Sequence, residues 1–235
     1  MNVSPRCYEI AITMGDPAGI GPEIICRALS AMSATERATA MVIGDPAIYR
    51  RAAVSVGAAL EFVPLEQAES GQDHVAVGVV EVPEGVEIPD GQISAGAGDM
   101  AFRCVHKAVE LVQAGRTQVI VTAPLNKAAL HAAGHHYDGH TGMLASLTGA
   151  SSSFMLLASE TLSTLHVSTH VSLRDAIDRV TPERIIATVE AGHAHLVALG
   201  MRVPRIAVAG LNPHCGEGGI FGDEDSRCIA PAVER

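Results

Sequence analysis

Four places in the 235-residue sequence set Gly, Pro, Asn, Lys or His directly behind a strand-like run. Parallel sheets bind their ligands beyond such strand ends. The first is MGDPAGIGPE (14–23), whose glycines allow close backbone approach and whose helix start offers N–H groups to an anion. It lacks G-K-[ST], and Gly15, Gly19 and Gly21 do not fit G-x-G-x-x-G, so an ordinary strand-to-helix turn explains it equally well. The second, VTAPLNK (121–127), brings Asn126 and Lys127 to a strand end, although a lone Lys there is more often solvated than catalytic. The third, AGHHYDGHTGM (133–143), crowds His135, His136 and His140 around Gly134, Asp138 and Gly139. With His131 the spacing suggests metal binding, but the two glycines argue against a helix that would align the rings, and a loop with incidental histidines is the plainer alternative. The fourth is a pair of strand ends, HVSTH (166–170) and NPHCGEGG (212–219), which would turn His170 and His214 into one crevice if their strands are neighbours. Imidazole suits Zn²⁺ and similar ions, yet catalytic zinc usually takes three protein ligands. His166, four residues before His170 on the expected strand, is a candidate third ligand or a core histidine; His193 and His195 fall on an expected helix.

Positioning these residues requires alternating strands and helices. Tyr8 to Met14 reads as a strand ending at Gly15-Asp16-Pro17, and Pro22 and Glu23 open a helix over 22–32. Ala40 to Ile43 is a buried strand, with a helix after Pro46. Residues 97–114 have helical spacing and run into the strand 118–124. This is the signature of a parallel sheet covered by helices on both faces. Within the Pro- and Glu-rich stretch 64–95, residues 74–82 read as short antiparallel strands. Strands at 154–159, 163–169 and 205–211 with a helix over 182–199 make a second α/β region. The composition changes near 128, where six of the eleven histidines begin to gather, giving expected domains 1–128 and 129–235.

Composition narrows the function. A net charge of -10 argues against nucleic acid, and 48% hydrophobic residues argue against disorder. No apolar run approaches the roughly 18 residues of a membrane span, and the N-terminus reads as a first strand, not a signal peptide. Five cysteines without a C-x-x-C fit a reduced, cytoplasmic compartment.

Taken in order, ITMGDPAGIGPEI, AGAGDMAFRCV, VTAPLNKAALHAAGH, YDGHT, HVSTHVSLRDA and GLNPHCGEGGIFGDED resemble the 4-hydroxythreonine-4-phosphate dehydrogenase family of the vitamin B6 pathway. The resemblance runs over essentially the whole chain and is nearer the branch acting on four-carbon sugar-acid phosphates. It implies an isocitrate/isopropylmalate-dehydrogenase-like two-domain α/β fold, a homodimer with its site at the subunit interface, and NAD and a divalent metal (Zn, Mg or Co) as cofactors. His170 and His214 correspond to two metal ligands, and His140 and Thr141 to substrate-contacting positions. The implied reaction oxidises a small phosphorylated hydroxy acid, such as 4-phosphohydroxythreonine or threonate or erythronate 4-phosphate. Hydride passes to nicotinamide and CO₂ is lost afterwards.

Two departures qualify the resemblance. Gly142 stands where a Glu commonly follows the GHT segment. The family's third metal histidine, in a His-Asp-Gln-Gly segment, and its Lys, Asn and Arg substrate contacts lie downstream of the position matching Arg235. The expectation is therefore a chain carrying the first domain and part of the second, short of metal ligands and of cations for a phosphate. Two alternatives follow: a non-catalytic remnant of the family, or a cis-dihydrodiol dehydrogenase within it.

Overall fold

The computed structural model describes residues 7–69 and 73–235. Residues 1–6 of the expected non-signal N-terminus and 70–72 of the Glu-rich stretch lie outside the described residues. The chain divides into two compact units, Met1–Ser151 and Ser152–Arg235.

The first unit is built on a parallel sheet of β1 (Ile10–Thr13), β2 (Ala40–Gly44), β3 (Phe62–Pro64), β4 (Val75–Val79) and β5 (Val119–Thr122), in the order β3-β4-β2-β1-β5. β1 pairs in parallel with β2 and β5 (Ile10 with Ala40 and Val119), so it sits between the two directions in which the sheet grows. Helix α1 (Gly21–Ala31), the short capped turn α2 (Ala34–Arg37) and α3 (Pro46–Ser55) carry the chain away from β1 on one side. The long α4 (Ala95–Gln113) carries it back across to β5 on the other side. Right-handed crossovers running in opposite directions place α1 and α3 on one face and α4 on the other. The packing agrees, since α1 lies against α3 while α4 lies against β1, β2 and β5.

β2 is buried at every position, and β4 at all but Val79, as expected of strands covered on both faces. The expected antiparallel pairing of 74–82 is corrected accordingly: β4 lies parallel to both β2 and β3. The apolar run VAVGV has no alternation because neither face meets water. Its neighbours Met41, Val42 and Ile43 are fully buried, and one core joins them to Ile25, Leu29, Tyr49, Met100 and Cys104 from the helices.

The division of the chain lies later than the expected boundary after residue 128, which falls inside α5 (Lys127–Ala132). α5 and α6 (His140–Thr148) both pack on α4. Leu130 and Met143 close a small core with Val105, which keeps the 129–151 segment with the first sheet.

The second unit carries an antiparallel pair, β6 (Leu156–Ala158) and β7 (Ser163–Leu165), then α7 (Leu173–Asp178) and α8 (Pro182–Ala198). A π-helical turn (Asp225–Ile229) continues into α9 (Ala230–Glu234), and both pack on α8. The expected strand at 205–211 is not a strand, because its backbone has no hydrogen-bonded strand neighbour among the described residues. Residues 205–209 instead border an apolar cavity of about 490 Å³ together with β7 and α8. Among the described residues no helix is long and apolar enough to cross a membrane.

Candidate functional site

The strand order reverses at β1, so the crevice between the carboxyl ends of β1 and β5 is the place where such a sheet binds ligands. Two of the four sequence motifs meet there. The Asp16 N–H donates to the Pro124 carbonyl at 2.9 Å, and the Ala123 N–H donates to the Thr13 carbonyl at 3.2 Å. Gly15 has φ +73°, and a side chain at that position would overlap the Pro124 carbonyl, so glycine is what lets the two loops touch. Asp16 is turned inward, its Oδ1 accepting from the Ala18 N–H at 2.9 Å and fixing the turn that leads into α1. Asn126 caps α5 by accepting from the Ala129 N–H at 3.1 Å, while Lys127 is exposed.

The third motif follows directly. His140 and Thr141 are the first two residues of α6, His140 partly buried and Thr141 exposed. His140 Nε2 is buried with no hydrogen-bond partner among the described residues. Burial holds the His140 imidazole below its ordinary pKa, so the ring is neutral near pH 7. A buried neutral imidazole with an unmet nitrogen is suited to a hydrogen bond with a ligand.

Two other histidines of this loop, His135 and His131, are used within the protein. His135 Nε2 lies 3.1 Å from Asp99 Oδ1 on α4, and its ring stacks on Phe102. His131 Nε2 lies 3.1 Å from the Tyr137 carbonyl. The Asp99–His135 pair gave no signal in the sequence, since its members are 36 residues apart.

The fourth motif lies in the second unit. β7 ends at Leu165, so His166 and His170 are on a loop, which removes the argument that a shared strand face aligns them. His170 is exposed with φ +55°. His214 is held by the turn that Asn212 makes. Asn212 Oδ1 accepts from the His214 N–H at 2.9 Å, and its Nδ2 donates to the Phe221 carbonyl at 3.2 Å. The His214 ring tilts against Phe221, and its Nδ1 lies 3.8 Å from Glu217 Oε1. Among the described residues the non-glycine positions with positive φ are His170, Cys215 and Glu217, all in these two loops. Left-handed backbone at such residues is costly and gathers at functional sites. The sequence carries no sign of it.

His170 and His214, the two metal ligands expected from the sequence, are both exposed on loops, and no group of three His, Cys, Asp or Glu residues is placed to hold an ion among the described residues.

The parallel sheet with its strand-end crevice defines an α/β protein built to hold a small ligand. The chain belongs to the family described as "Pyridoxal phosphate biosynthetic protein PdxA", which matches residues 36–235. It is 45% identical to the D-threonate 4-phosphate dehydrogenase of Pectobacterium atrosepticum, over 96% of this chain and 70% of that enzyme. The solved structure of a putative 4-hydroxythreonine-4-phosphate dehydrogenase from Salmonella typhimurium superposes with a TM-score of 0.86 at 41% identity, covering 97% of this chain and 71% of that one. A terephthalate 1,2-cis-dihydrodiol dehydrogenase from Burkholderia xenovorans is more distant, with a TM-score of 0.68 and 27% identity over 97% of this chain and 70% of that one. The isocitrate-dehydrogenase-like fold expected from the sequence is the fold of these relatives.

Proposed function

We propose that the chain is an NAD-dependent dehydrogenase of a phosphorylated four-carbon hydroxy acid, with D-threonate 4-phosphate the first substrate to test. The observation that carries this reading is the 45% identity to a D-threonate 4-phosphate dehydrogenase over nearly the whole chain. The weaker likeness to the cis-dihydrodiol dehydrogenase ranks that substrate class lower.

The residues suit the role as follows. The loops after β1 and β5 supply backbone at a strand-end crevice, where a small anionic ligand is held by N–H groups and helix starts. His140, neutral and with Nε2 unmet, binds a substrate hydroxyl or phosphate oxygen through a hydrogen bond, with Thr141 beside it. Nicotinamide, when bound, supplies the hydride acceptor. Oxidation of the hydroxyl β to the carboxylate leaves a β-keto acid, from which CO₂ departs.

His170 and His214 are the proposed donors to Zn²⁺, Mg²⁺ or Co²⁺. Among the described residues no group of three His, Cys, Asp or Glu residues is placed to hold the ion. That shortfall also supports a second reading, in which the chain binds family ligands without turning them over. A cytoplasmic homodimer is part of the proposal, and light scattering tests the dimer.

The deciding experiment follows NADH formation from D-threonate 4-phosphate, erythronate 4-phosphate and 4-phosphohydroxythreonine, with Zn²⁺ or Mg²⁺ supplied. Turnover of one of them is expected. Binding without turnover selects the second reading, and neither binding nor turnover removes both.

A further inference from the structure

The loop that delivers His140 is fastened to α4 most directly through His135. His135 lies between Asp99, whose Oδ1 is 3.1 Å from its Nε2, and Phe102, whose ring centroid is 3.8 Å away at an interplanar angle of 12°. Asp99 and Phe102 stand three apart on α4 and therefore share one face of that helix. One contact meets the edge of the imidazole and the other its face, so both the place and the rotation of the ring are set.

The hold extends along the loop toward α6. The Tyr137 ring lies nearly parallel to Phe102, with centroids 6.2 Å apart, and its hydroxyl donates to Ser146 Oγ on α6 at 3.4 Å. His131 Nε2 lies 3.1 Å from the Tyr137 carbonyl. Three residues beyond Tyr137, His140 begins α6, and Met143 anchors that first turn in the core.

The charged and titratable groups around the ring are few. Asp99 Oδ2 lies 4.0 Å from Arg103 Nη1, and the His106 ring is tilted 6.1 Å from Phe102. The His131 and His136 rings are tilted against each other, with centroids 5.4 Å apart. A neutral His135 with its proton on Nε2 donates to Asp99, and a charged one does the same, so the hold works in both states.

We propose that His135 is a positioning residue: clamped between Asp99 and Phe102, it fixes the loop before α6 and so aims the His140 imidazole at the substrate. The proposal rests on the reading of His140 as a substrate contact.

The test reads His140 directly, by NMR titration of its imidazole in the full chain, beside turnover of D-threonate 4-phosphate. In His135→Ala the freed loop admits water, and the His140 titration rises toward the ordinary imidazole value of about 6.5. Asp99→Asn keeps an acceptor oxygen and leaves the titration where it is in the parent chain. An unchanged His140 titration in a folded His135→Ala chain overturns the proposal. Should that variant not fold, His135→Phe keeps the stack and loses the hydrogen bond; a smaller upward shift is expected, and no shift overturns the proposal. In the turnover arm, KM rises about fivefold in His135→Ala, the equivalent of one net hydrogen bond, with kcat little changed. A parent chain without turnover removes the functional reading, and the titration arm then decides the positioning role by itself.

Discussion

Gly98 on α4 meets the backbone carbonyl of Ala129 on α5 so closely that any Cβ would overlap it. Both residues are fully or almost fully buried, and neither backbone segment can step aside without moving a helix. Gly98→Ala therefore lowers stability by about 1–3 kcal/mol, the usual cost of overpacking, despite the better helix propensity of Ala. Gly142 on α6 is the control, because a Cβ there meets nothing within 4 Å. Gly142→Ala is neutral to stabilising by about 1 kcal/mol. Urea unfolding of both variants reads the contrast.

Asp45 ties two elements together. Its Oδ1 accepts from the Ala47 N–H at 2.7 Å as the cap of α3, and its Oδ2 accepts from the Val82 N–H at 3.1 Å beyond β4. Asp45→Ala loses both contacts and costs about 1–2 kcal/mol. Asp45→Asn keeps an oxygen for one donor and loses less. The midpoint of thermal unfolding orders parent chain, Asn variant and Ala variant in that sequence.

His140 gives stability a pH dependence of known sign. Burial lowers its folded-state pKa below the unfolded value, which is about 6.5. Between those two values the unfolded chain binds the extra proton and the folded chain does not. Stability is therefore unaffected by His140 above about pH 6.5 and falls as the pH drops through that value toward the folded pKa. In His140→Gln this contribution disappears, so the difference in stability between the two proteins changes across that window. Chemical denaturation at several pH values below and above 6.5 measures it.

The thiols separate by environment. Burial pushes Cys104 up to about 12 and Cys26 up to about 11, so neither forms thiolate near neutral pH. Cys7 and Cys215 are exposed. Iodoacetamide at pH 8 modifies Cys7 and Cys215 in the native protein and reaches Cys26 and Cys104 only after denaturation, as peptide mass spectrometry can read.

Much of the first unit is legible in the sequence because its elements announce themselves locally. Pro22 and Pro46 open helices, and β2 is a short unbroken apolar run. The antiparallel expectation for β4 fails because pairing direction belongs to the whole sheet; only its position between β2 and β3 determines it. The boundary expected after 128 falls inside α5 for a similar reason, since the change in composition there says nothing about α5 and α6 docking on α4. Residues 205–211 have strand-like composition, but a strand also needs a hydrogen-bonded neighbour. The candidate residues His140, Thr141, His170 and His214 come from motifs. The burial of His140 Nε2 and the left-handed backbone of His170 do not, because both arise from how loops close on their surroundings.

That left-handed backbone offers a test of what His170 is for. At φ +55° a residue with a Cβ costs roughly 1–2 kcal/mol relative to an ordinary conformation, and glycine escapes the cost. Glycine also gives the unfolded chain freedom worth about 0.5–1 kcal/mol, which offsets part of the gain. His170→Gly is therefore expected to be at least as stable as the parent chain. It is also expected to be about 1 kcal/mol more stable than His170→Ala, which keeps the strain and loses the ring. If His170 serves the metal, both variants lose Zn²⁺ binding to the same extent in calorimetry, although their stabilities differ. A His170→Gly chain that keeps the parent affinity for Zn²⁺ removes His170 from the metal's donor set. In that outcome the strained loop needs a role other than ligation.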